Sequence, residues 1–65
     1  MFKQEINKVL EIEQAKVRRG MKDCKEAIEY VLGFLHACTM MGEITKEQSA
    51  KFASKFVADV TNNIG

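Results

Sequence analysis

Apolar residues recur at intervals of three and four from Phe2 through Ile6, Val9, Val17, Cys24, Ile28, Val31, Leu35 and Cys38 to Met41, interrupted by Glu13 and Gly20. That spacing lines one face of an α-helix. Proline is absent, so no residue forbids helix. A second apolar set, Phe52, Ala53, Phe56, Val57 and Val60, marks another helix from about Lys46 to Thr61, with Asn62, Asn63 and Gly65 as its frayed end. Between the two sets, Gly42 is suited to end one helix in the left-handed conformation. Thr45 caps the next, and Gln48 three residues later completes a capping box.

Gly20 decides between two folds. Arg18 and Arg19 before it, and Asp23 with Glu26 after it, are the signals of one helix ending and another starting. Phase opposes them, because the apolar faces on either side of Gly20 coincide on one continuous helical wheel. A glycine inside a helix costs about 1 kcal/mol against alanine, which long packing absorbs. The expectation is therefore all-α, a single domain over 1–65. Its fold is a hairpin of one long helix, about 3–41 with a bend or break at Gly20, and a shorter one, about 46–61. A three-helix bundle is the alternative.

The hairpin implies a partner. A final helix of about sixteen residues spans ~24 Å, against ~58 Å for a first helix of about thirty-nine. The amino-terminal half, with Val9, Leu10 and Val17, then needs a second chain, most simply in a dimeric helical bundle. The expected oligomer or partner interface is Phe2, Ile6, Val9, Leu10, Val17, Cys24, Ile28, Val31, Leu35 and Cys38.

Residues Gly20-Met21-Lys22-Asp23-Cys24-Lys25-Glu26-Ala27-Ile28 resemble the Gly-Met-x-Asp-Cys-Lys-x-Ala-Leu signature of the amino-terminal ubiquitin-associated-like module of translation elongation factor Ts. The resemblance covers nine residues and lacks the threonine-glycine-alanine loop that precedes the signature in that family. It implies a helix start after a turn at Gly20, and no function is carried over from it.

Composition narrows the chemistry. A chain of 65 residues buries only about 60% of its unfolded surface, so disulfides, a metal or self-association would add to a small core. Cys24 and Cys38 on one unbroken helix stand about 21 Å apart, too far to bridge, and read as reduced core residues. With no Cys-x-x-Cys pair and a single histidine, no metal site or cofactor is expected, and no catalytic residue either. The net charge of +1 gives no global attraction to nucleic acid or membrane. The longest run without a formally charged residue, Tyr30 to Gly42, is too short to span a bilayer. Lys3, Glu5 and Lys8 occupy the place where a signal peptide would be apolar, so the expected location is cytoplasmic.

Three surfaces remain as candidates. Lys16, Arg18, Arg19, Lys22 and Lys25 concentrate positive charge and are the expected phosphate contacts of a nucleic-acid-binding dimer. On a continuous helix, Arg19 with Asp23, Lys22 with Glu26 and Lys25 with Glu29 would pair and neutralise much of that charge. Tyr30, Phe34, Met40 and Met41 widen the apolar face beyond one seam and mark a possible groove, with Gly33 beside them allowing close approach of another helix. His36 lies with Glu29, Leu32, Gly33 and Met40 at the edge of the stripe, as a partly exposed structural histidine. Glu13, near the middle of the apolar face, is costly there unless paired; it would set register between two chains or select a basic partner, or lie where the bundle opens to water.

The function these features favour is a non-enzymatic protein–protein interaction module that self-associates and binds, inhibits or regulates another protein of unstated identity. Its length suits a stand-alone regulator from a compact genome such as a phage or mobile element. The alternatives are the nucleic-acid-binding dimer using 16–25 and a helical oligomer binding a small ligand between subunits.

Overall fold

A computed structural model describes residues 3–64, with side chains described over 4–62. It contains α1 (Lys3–Arg18), α2 (Cys24–Met40) and α3 (Lys46–Ile64), and the described residues hold no strand. The long helix over 3–41, and the two-helix hairpin built on it, are corrected to a three-helix bundle. A 39-residue helix would reach about 58 Å, whereas the long axis of the molecule is 33 Å.

The break follows from local hydrogen bonding. Gly20 takes φ +74°, a left-handed conformation open to glycine at little cost. Its N–H donates to the Val17 carbonyl at 3.1 Å, and the Met21 N–H reaches back to the Lys16 carbonyl at 2.9 Å. Together these bonds form a Schellman cap, which satisfies carbonyls that a helix end leaves orphaned. Asp23 then caps α2, its Oδ1 accepting from the Glu26 N–H at 2.9 Å.

Gly42 repeats this pattern at φ +78°. Its N–H donates to Thr39 O, and the Glu43 N–H donates to Cys38 O, both at 3.0 Å. Thr45 and Gln48 make the reciprocal capping box, with the Gln48 N–H on Thr45 Oγ1 at 3.1 Å and the Thr45 N–H on Gln48 Oε1 at 2.9 Å. In both corners the cap residue stands three positions after the glycine.

The seam folds onto itself. Ile6, Leu10 and Val17 of α1 meet Ala27, Val31, Leu35 and Cys38 of α2, with Ile44, Phe56 and Val60 completing the buried core. Two apolar faces that agree on one wheel therefore serve equally well on two helices that turn back and bury them against each other. Asn7, Leu10, Glu11 and Gln14 of α1 lie across a surface cleft from Lys55, Phe56 and Asp59, so α3 runs alongside the half of the stripe that the hairpin would leave bare. Ala27 and Ile44 join the core from outside the sequence stripe. The third helix continues to Ile64, beyond the expected end at 61. No helix among the described residues is long and apolar enough to cross a membrane.

Candidate functional site

The seam assigned to a partner interface is occupied within the chain. Ile6, Leu10, Val17, Val31, Leu35 and Cys38 are buried, Val9, Cys24 and Ile28 are half-buried, and Phe2 lies outside the described residues. Both cysteines are free. Burial, and after it the negative charge of Glu43, raises the thiol pKa of Cys38, which behaves as a small hydrophobe.

The first corner holds a charged cluster. Glu13 is only 3% exposed, and Lys22, folded back across the Gly20 turn, donates from Nζ to Glu13 Oε1 at 2.5 Å. Lys16, one turn along α1, reaches Oε2 at 3.3 Å. Burial by itself would raise the carboxyl pKa; hydrogen bonds from Lys22 and Lys16, helped by their charges, outweigh it and hold Glu13 below its ordinary value. The Lys22 ammonium also sits 4.6 Å from the centroid of the Tyr30 ring, joining α1, the turn and α2 at one point.

This geometry corrects the expected neutralisation of the basic segment. The turn at Gly20 takes Arg19 and Lys22 off a common helix with Asp23 and Glu26, so those two pairs lose their spacing. Lys16 and Lys22 spend their charge on Glu13. Arg18, Arg19 and Lys25 are exposed, and among the described residues they make no ion pair.

No protein-family model, curated protein or solved structure matches this chain. Its surface therefore supplies the functional reading. Among the described residues, no group of three or more His, Cys, Asp or Glu side chains is placed to hold a metal ion.

The largest apolar exposure is on α2 and its carboxyl cap. Met40 is 75% exposed, Met41 71%, Tyr30 53% and Leu32 46%. The four residues expected to form one groove divide. Phe34 packs against the core, Tyr30 lies on the flank that meets Lys22, and Met40 lines a different groove, between α2 and α3. That groove has a volume of about 560 Å³ and is walled by Leu32, His36, Thr39 and Met40 on one side and by Lys46, Ser49, Ala50 and Ala53 on the other. Sequence reading missed the α3 wall; its signal is the run of small residues at Ser49, Ala50 and Ala53, which α3 turns towards α2.

Lys25, Glu29, Leu32, Gly33, His36 and Met40 follow helical spacing along the outer face of α2, and all six are exposed. Gly33 is placed within this face, and a Cβ built on it would meet nothing within 4 Å. Its conformation is not left-handed, so the folding of a single chain gives glycine no advantage over alanine there.

Proposed function

We propose that the chain is a non-enzymatic protein-interaction module that self-associates and binds, and so regulates, another protein, using the outer face of α2 and its groove with α3. The observation that carries this reading is the exposure of Leu32 and Met40 beside a wall of small residues, on a helix whose opposite face already fills the core. Large apolar side chains grouped on one face, with polar residues around them, are the mark of a contact surface. Methionine adds a flexible, polarisable side chain that adapts to a partner's shape.

The test is affinity capture from the native host with the wild type and with a Leu32→Lys/Met40→Lys variant. Both positions are exposed, so the variant keeps the fold. The reading expects a partner recovered by the wild type and lost by the variant. Recovery of the chain alone, under conditions that preserve weak complexes, contradicts partner binding.

One observation favours a second reading. Arg18, Arg19 and Lys25 are exposed around the first turn and make no ion pair among the described residues, the arrangement a phosphate backbone would use. A salt-sensitive shift of DNA or RNA, abolished by Arg18→Glu with Arg19→Glu, would support it, and no shift at low salt would remove it.

A further inference from the structure

We propose that the outer face of α2 docks the same face of a second copy of this chain, antiparallel and about a two-fold axis that passes between Leu32 and Gly33. The inference rests on the interaction-module reading and adds to it the antiparallel orientation, the two-fold axis and the register of self-association.

Gly33 supplies the first reason. It sits in the middle of a 17-residue helix, exposed, with open space where a side chain would be. Glycine in a helix interior is disfavoured against alanine, and nothing within one chain requires it here. Close approach of another helix does, because a glycine at a crossing point lets the two backbones draw together.

Register supplies the second. A two-fold axis between residues 32 and 33 leaves Glu29 and His36 each about three and a half residues, ~5 Å along the helix, from the centre. In an antiparallel pair, Glu29 of one copy therefore faces His36 of the other, and the symmetry makes this contact twice. An imidazole N–H donates to a carboxylate. Lys46 walls the same groove as His36 and Met40, so the arriving Glu29 also meets a cation. Lys25 and Met40 likewise stand equally far from the axis, about 11 Å, so the aliphatic stem of Lys25 lies over the exposed thioether of Met40 in the second copy. Leu32 lies against Gly33 of the second copy, at the centre. Glu29 therefore meets a hydrogen-bond donor and a cation at both symmetry-related contacts, and these complementary pairs fix the register.

The test uses the full chain and exploits the two-fold symmetry. By sedimentation equilibrium from about 10 μM to about 1 mM, the wild-type mass should rise towards twice the 7.4 kDa of one chain. Glu29→Lys and His36→Glu should each weaken the dimer by at least about tenfold, because the introduced lysine removes the imidazole's hydrogen-bond acceptor and arrives beside Lys46, while the introduced glutamate faces Glu29, and the symmetry repeats each contact. An equimolar mixture of those two variants should recover association, since the mixed dimer pairs the introduced lysine with the introduced glutamate and leaves Glu29 facing His36 at the other contact. Gly33→Arg should remain helical by circular dichroism and stay monomeric.

Three results overturn the proposal: a wild type monomeric across the whole range, a mixture no more associated than its components, or a Gly33→Arg variant that still dimerises. The first also removes self-association from the parent reading. Capture of another protein through Leu32 and Met40 tests the remainder of that reading separately.

Discussion

The Gly20 and Gly42 corners share a spacing and a hydrogen-bond pattern, yet Lys22 stands where Ile44 stands. Each residue immediately precedes a helix cap and is carried inward by the turn. Ile44 enters the core, 5% exposed, and needs nothing more. Lys22 brings a charge, and Glu13 is the residue that receives it. One corner is closed by apolar packing and the other by an ion pair. The difference explains why an acidic residue interrupts the apolar stripe of α1: it is the counterpart of a lysine nine positions later that the turn brings back.

The largest effect should come from making the second corner like the first. Ile44→Lys would place an ammonium at a site now filled by apolar packing, costing about 4 kcal/mol or more, and should leave the chain largely unfolded by circular dichroism. A cooperative melt near that of the wild type would show that the corner admits water.

Next in size is the ion pair. Lys22→Ala strands the buried Glu13 carboxylate with only the partly exposed Lys16, for a loss of about 2 to 3 kcal/mol. Glu13→Ala frees two lysines that can turn to water and should cost less, about 1 to 2 kcal/mol. Replacing both partners with apolar groups, Glu13→Leu with Lys22→Ile, turns the first corner into a copy of the second. It should return stability to within about 1 kcal/mol of the wild type. Urea denaturation of the three variants checks the order, and a double variant less stable than Lys22→Ala would sink the equivalence of the corners.

How much of this could be read in the chain differs by feature. The glycine, the cap three residues on and the glutamate or glutamine three beyond that are legible at both corners, and they mark the true helix ends. What obscured the first was the phase of the apolar stripe, because periodicity records which face is buried and not whether another chain or the same chain buries it. The Glu13–Lys22 pair was hidden for a related reason. Sequence spacing predicts partners three or four apart on one helix, and this contact exists only once the turn is made. The outer stripe of α2 was legible as a set, with His36, Glu29, Leu32, Gly33 and Met40 at the edge of the seam. Its α3 wall was not, because small residues carry little periodic signal.

A smaller and equal effect is expected at the two glycines. Gly20→Ala and Gly42→Ala each force a side chain into a left-handed conformation, costing about 1 to 2 kcal/mol. Both open into free space, so the losses should match. A loss at one corner twice that at the other, read from thermal melts, would show that the caps are not equivalent.

Acid should separate the corners most gently. The Glu13 carboxyl is held below its ordinary value near 4.5, so its contribution is fully present above that pH and is lost as pH falls through the lower, folded-state value. Melting temperatures of the wild type should therefore converge on those of Glu13→Gln as the pH falls below 4.5 and through that lower value. A constant difference between the two at every pH would mean that Glu13 stabilises by packing alone.

With the core face of α2 committed within the chain, its outer face is the surface left for self-association. The most direct measurement is a dilution series of the wild type followed by amide chemical shifts in nuclear magnetic resonance. Docking through this face should give concentration-dependent shifts confined to α2 around Lys25, Glu29, Leu32, Gly33, His36 and Met40, and to the facing wall at Ser49, Ala50 and Ala53. Spectra that do not change with concentration, or shifts centred on α1 at Val9 and Ile12, would contradict it.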